Sequence, residues 1–102
     1  MAWFVKTETF TAETSALSIE QRRPFLEAHR HWLDQHIGLG RRIRSGFLVD
    51  DQRRPGGGGL LIFQASSYAD ALAWVSQDPM IVEGLVAWQL QEWIPVSGDD
   101  WP

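Results

Sequence analysis

The sequence predicts an α+β fold, a four-stranded antiparallel sheet with two helices on one face, in the order βαββαβ. Three observations predict it. Residues 3–10, 41–49, 60–65 and 85–96 read as strands. Residues 24–37 and 67–75 carry apolar side chains at helical spacing. Turn formers punctuate the rest: Gly38 and Gly40, the Pro- and Gly-rich stretch 50–59, and Asp78-Pro79 with Gly84. At 102 residues the chain is sized for one domain, assigned to residues 1–96, with 97–102 a loose tail whose Trp101 could dock on it.

The first strand, 3–10, alternates. Trp3, Val5, Thr7 and Thr9 share one face; Phe4, Lys6, Glu8 and Phe10 share the other. Residues 11–17 are small and polar, a connector. Ser18-Ile19-Glu20-Gln21 has capping-box spacing. Pro24 follows, and inside a helix it would lose a backbone bond. We therefore expect a short turn over 18–23 and the main helix from Pro24, where Pro suits a first turn. Leu26, His29, Leu33 and Ile37 make its apolar stripe, with Phe25, Ala28 and Trp32 beside it. Gly38 or Gly40 ends it.

The stretch 50–59 is expected to be a hairpin loop with a mobile tip at 56–59, a candidate lid. It is no phosphate-binding loop, for it lacks the Lys-Ser/Thr ending and leads into a strand. Ser67 with Asp70 opens the second helix, which carries Ala71, Leu72, Trp74 and Val75. Asp78-Pro79 opens a further helical turn, closed by Gly84. Leu60 to Phe63 and Leu85 to Trp88 look apolar on both faces. Such strands want cover on both sides, which argues for a homodimer packed sheet to sheet.

Composition excludes several function classes. A formal net charge of -4 disfavours nonspecific nucleic-acid or anionic-membrane binding. With no Cys there is no disulfide, thiolate nucleophile or Cys-ligated metal. No apolar run is long enough to span a bilayer and no signal peptide stands at the start, so a cytoplasmic location is expected. Six Trp and five Phe are many large groups for a small interior, so some should line a pocket or meet a partner.

His29 is the first candidate for chemistry, because imidazole exchanges protons near neutral pH. Its bland counterpart is a structural His on a core stripe. Asp78 is the second. An Asp before Pro is a common helix start, and that explains the dipeptide by itself. As a cap, Asp78 would tolerate Asn at a cost of about a few tenths of a kcal/mol. As a partner, its carboxylate would orient and charge His29. His31 lies on the solvated face, and His36 lacks metal-ligand spacing relative to His29, so no metal or cofactor is expected. Arg41, Arg42, Arg44, Arg53 and Arg54 form a basic cluster that guards an edge strand, and from it Arg44 is taken as a holder for an anionic ligand.

The stretch from Pro24 through Ala28-His29-Arg30-His31-Trp32-Leu33 to Gly40, then Ile43-Arg44-Ser45-Gly46, resembles the YciI-like (YCII-related) proteins. So do Ala71-Leu72-Ala73-Trp74-Val75, Asp78-Pro79 and Gly84-Leu85. The resemblance implies a ferredoxin-like fold that dimerises as an α+β barrel. It implies that His29 and Asp78 match the family's catalytic pair and that Ser45 lines the same pocket. The family usually has Pro after the Ser-Gly step, whereas this chain has Phe47, which alters the pocket's shape. One branch of the family resembles dehydrochlorinases.

These readings converge on a small homodimeric enzyme performing metal- and cofactor-free elimination or isomerisation, a lyase or isomerase of a small aromatic or anionic molecule. His29 would shuttle the proton and Asp78 hold its tautomer. Ser45 and Arg44 would bind substrate, and Trp32 or Trp74 would wall the pocket. The rival is a noncatalytic ligand-binding or interaction dimer, in which Asp78 only caps and His29 only packs. A haem- or quinol-handling monooxygenase is a third and weaker reading, drawn from other dimeric α+β barrels.

Overall fold

In a computed structural model, which describes residues 1–99, the elements run β1 (Ala2–Phe10), α1 (Ala12–Ala16), α2 (Ile19–Gly38), β2 (Ile43–Val49), β3 (Pro55–Ala65), α3 (Tyr68–Val75), α4 (Pro79–Val82) and β4 (Val86–Trp93). The sheet order is β2-β3-β1-β4, and every pairing is antiparallel. This is the ferredoxin-like order, with β1 and β3 central and hence the most buried strands. Trp101 lies outside the described residues.

Residues facing one another across an antiparallel pair share a face. Phe4, Phe63 and Ile43 therefore point the same way, as do Lys6, Leu61, Leu90 and Ser45. That face takes the helices. Phe4, Leu61, Phe63 and Leu90 pack with Trp32 and Leu33 of α2 and Ala71, Trp74 and Val75 of α3 in one core. The indoles of Trp32 and Trp74 stack at 4.6 Å between centroids, and Phe63 lies 4.6 Å from Trp74. Among the described residues, no helix is long and apolar enough to cross a membrane.

Four expectations change. First, α2 begins at Ile19, with Pro24 inside it. The Ser18–Gln21 capping box is reciprocal: Ser18 Oγ accepts the Gln21 amide at 3.1 Å, and Gln21 Oε1 accepts the Ser18 amide at 2.9 Å. It secures a helix start that tolerates the one backbone bond Pro24 cannot donate. Second, residues 11–17 contain a short helix, α1, capped by the Thr11 side chain. Third, 56–59 is strand and no mobile tip. β3 begins at Pro55, Gly58 pairs with Thr9 and Gly59 with Glu8 and Phe47, so the hairpin loop is confined to 50–54.

Fourth, β4 alternates apolar-in and polar-out from Trp88 to Gln91, although Ala87 keeps its start apolar on both faces. Val86, Trp88 and Leu90 face the helices, while Ala87, Gln89, Gln91 and Trp93 face the other way. The apolar part of the helix-free face is a strip of Trp3, Val5, Leu60 and Ile62, with Trp93 beside Trp3 and Ala87 at the other end of β4.

Both long turns behind the site close in the same way. After α2, Gly40 takes φ +94° while its amide reaches Ile37 O and the Arg41 amide reaches His36 O. After α4, Gly84 takes φ +69° with amide bonds from Gly84 to Ile81 and from Leu85 to Met80. These are Schellman closures, which need a residue free to adopt the left-handed region.

Candidate active site

The N-terminal half of α2 bridges the sheet end formed by β1, β2 and β3. Between them lies a largely apolar cleft of about 400 Å³. Leu26 and His29 of α2, Ser45 and Phe47 of β2, Glu8 of β1 and Met80 of α4 all line it. The Gly57–Gly59 run forms its floor, where the lack of side chains leaves room for Phe10 and Glu8 above. A Cβ on Gly57 would stand 3.0 Å from the Phe10 ring, and one on Gly59 would stand 3.2 Å from Glu8 Cγ.

His29 sits at the inner end of this cleft, its side chain 16% exposed. Its Nδ1 lies 2.8 Å from Oδ1 of Asp78, which is fully buried. Asp78 also caps α4: the same Oδ1 accepts the Met80 amide at 2.9 Å. Oδ2 accepts from Lys6 Nζ at 2.6 Å. Lys6 is itself fully buried and lies 3.0 Å from Glu8 Oε1. The site is thus a four-residue chain, His29–Asp78–Lys6–Glu8, drawn from α2, the α4 cap and β1.

An ionised carboxylate only accepts, so His29 Nδ1 must be the donor to Asp78. The neutral ring then keeps Nε2 as its basic nitrogen, left for the cleft. Burial by itself would raise the Asp78 carboxyl. The His29 hydrogen bond, the Lys6 charge and the Lys6 hydrogen bond outweigh it, and the carboxyl titrates below its ordinary 3.8. The linkage sign follows. Stability contributed by this carboxylate is fully present above that ordinary value and is lost as pH falls through the lower folded value.

The buried pair also changes the expected cost of Asp78→Asn. A surface cap would lose little, but Asn here leaves Lys6 buried with Glu8 as its remaining anion. Breaking a buried pair costs about 3 kcal/mol or more. The donor atoms of Glu8, His29 and Asp78 lie within 4.8 Å of one another, a spacing a metal could use. Lys6 already supplies the positive charge between the two carboxylates.

Of the residues singled out from sequence, the fold brings His29 and Asp78 together and sets Ser45 on the cleft wall beside them. Trp32 and Trp74 are elsewhere. Both are core residues, 8% and 5% exposed, stacked on each other rather than walling the cleft. Trp74 donates its indole N–H to His36 Nδ1 at 3.2 Å and carries the Arg41 guanidinium over its ring at 4.4 Å. Arg44 is not on the cleft. It lines a separate depression with Trp3, Arg41 and Arg42, because its position on β2 faces away from the helices. Phe47, standing where the family usually has Pro, is 71% exposed at the cleft rim.

Lys6 and Glu8 were not singled out, yet a signal existed. They share a face of β1 with Phe4 and Phe10, so any register that buries Phe4 also buries Lys6. A charged side chain forced inward requires a partner, and Lys6 is the only lysine in the chain.

The chain matches the family model of the YCII-related domain over residues 4–94. It is also similar to a solved structure, 5-chloro-2-hydroxyhydroquinone dehydrochlorinase (TftG) from Burkholderia phenoliruptrix in complex with 2,5-dihydroxybenzoquinone. The TM-score is 0.67 and the identity 21%, over 90% of this chain and 93% of that one. No curated protein matches the chain. The likeness in structure supports the fold, and the family match spans the strands, helices and turns that build the His29–Asp78 site. The chain belongs to the YCII-related domain family.

Proposed function

We propose that the protein is a small-molecule enzyme in which His29 and Asp78 work as an acid–base pair, catalysing elimination or isomerisation without a cofactor. The observation that carries this reading is the geometry of one ring. His29 lines an apolar cleft while its Nδ1 is fixed to a buried carboxylate. In such a pair Nε2 takes a proton from the substrate, and Asp78 stabilises the imidazolium that forms. In elimination the electron pair of the broken bond expels a leaving anion from the neighbouring carbon. In isomerisation the same imidazolium returns the proton to a different atom. Lys6, by favouring the ionised form of Asp78, keeps the pair competent. The dehydrochlorinase activity named for TftG is of the elimination class, and its bound quinone is a one-ring molecule.

Chloride release from a panel of halogenated hydroxyaromatics tests the reading. The wild type should release chloride from at least one member. His29→Ala should fold and lower that rate by about 100-fold or more. No release across the panel, or release that survives His29→Ala, contradicts it.

One observation favours a second reading, a noncatalytic ligand-binding or interaction dimer. Asp78 caps α4 and pairs with buried Lys6, and both duties are structural. In either reading we propose a cytoplasmic homodimer packed through the helix-free sheet face. The strip of Trp3, Val5, Leu60 and Ile62 supports that packing.

A further inference from the structure

We propose that Glu8 is a second ligand-binding residue of the cleft, a carboxylate that receives a hydroxyl donor beside His29 and repels an anionic head group. This rests on the reading of the cleft as a small-molecule site. It goes beyond that reading by naming the residue that selects the ligand's polar group and the sign of that selection.

Glu8 is on the cleft wall, with its side chain only 12% exposed. Lys6 Nζ holds Oε1 at 3.0 Å. Opposite it in register is Gly59, whose lack of a side chain leaves the space that Glu8 occupies: a Cβ there would stand 3.2 Å from Cγ and 3.4 Å from Oε1. A carboxylate tethered to a buried ammonium has lost rotamer freedom before any ligand arrives, which favours specific recognition.

Its neighbour in the cleft is His29, and a Glu8 oxygen and a His29 ring nitrogen lie within 4.8 Å of each other. The neutral imidazole offers Nε2 as an acceptor, and a carboxylate offers acceptors only. The polar end of the cleft therefore asks for donors. Its charge points the same way. Glu8 and Asp78 are two carboxylates against the one ammonium of Lys6, and Lys6 is fully buried and committed to both. An anionic head here would meet a net negative end in a low-dielectric cleft. The other cation of the cleft, Arg22, stands two helical turns before His29, about 10 Å along the axis, and its guanidinium lies over the Phe10 ring at 5.3 Å. An anion drawn to Arg22 would sit away from the proton-transfer end.

Phenol and benzoate, similar rings with opposite head groups, are the probes. Binding is read at neutral pH from the NMR shifts of the His29 ring signals. Wild type should bind phenol more tightly than benzoate by about tenfold or more. Glu8→Gln, which keeps the shape and removes the charge, should erase that preference by letting benzoate in. Glu8→Asp, which keeps the charge, should retain it. Should Glu8→Gln fail to fold, Gly59→Ala, which crowds Glu8 without changing any charge, should weaken phenol binding several-fold. Equal binding of the two probes to wild type overturns the proposal. So does a preference that survives Glu8→Gln, and in that case the acid–base reading of His29 still stands. If neither probe moves the His29 signals at millimolar concentration, both the proposal and the reading of the cleft as a ligand site fall together.

Discussion

Oδ1 of Asp78 accepts from His29 and from the Met80 amide, while Oδ2 accepts from Lys6. One side chain thus starts a helix, orients a base and neutralises a buried cation. The cap and the candidate base were legible in sequence, since Asp before Pro and His on an apolar stripe are local patterns. The bond between them was not, because 49 residues separate them and no spacing rule spans that gap. Lys6 and Glu8 escaped because an alternating strand shows which residues share a face, not which face is buried. The Lys6–Asp78 pair makes a sharp prediction. Lys6→Met should cost about 3–5 kcal/mol by urea denaturation, because it leaves Asp78 and Glu8 buried without their cation. Adding Asp78→Asn should recover part of that loss, so that the double variant is about 2 kcal/mol better than the sum of the singles. Strict additivity would mean that the two charges do not depend on each other.

Among the elements, two of the segments that differ from expectation are those whose local chemistry conflicts with their final state. Pro24 argued against a helix running through it, yet the Ser18–Gln21 box and the packing of Trp32 and Leu33 carry α2 across it. The Gly-rich segment argued for a loop, yet pairing with β1 and β2 holds it as strand. Its lack of side chains is what opens the cleft floor, a tertiary requirement that composition presents as flexibility. Gly57 shows this most directly, with φ +81° and Phe10 packed where a Cβ would go. Gly57→Ala should therefore lower stability by about 1–2 kcal/mol from backbone conformation alone, with the Phe10 clash adding to it. A thermal melt unchanged from wild type would contradict the role given to this glycine.

For the whole molecule, the βαββαβ order of the main elements and the antiparallel sheet with its helices on one face were legible in the sequence pattern. The inner and outer residues of β4 were not, because Leu85 to Trp88 is an apolar run whose phase only pairing with β1 reveals. The outer face is therefore more mixed than expected, with Thr7, Gln89 and Gln91 beside the Trp3–Ile62 strip. The proposed dimer remains specific in its consequences. Light scattering at micromolar concentration should give twice the 11.6 kDa chain mass, as a stable interface of about 1,600 Å² would require. A stable monomer under those conditions would remove the sheet-to-sheet dimer.

If His29 and Asp78 are an acid–base pair, His29 presents Nε2 as a free base because Asp78 holds the proton on Nδ1. Nitrogen-15 NMR of the imidazole, recorded where the ring is neutral, reads this directly. The wild type should show a protonated Nδ1 and a pyridine-like Nε2. The preference should shift toward the Nε2–H tautomer in Asp78→Asn, measured also with Lys6→Met to relieve the unpaired cation. An Nε2–H ring in the wild type, or a tautomer indifferent to Asp78→Asn, would contradict it.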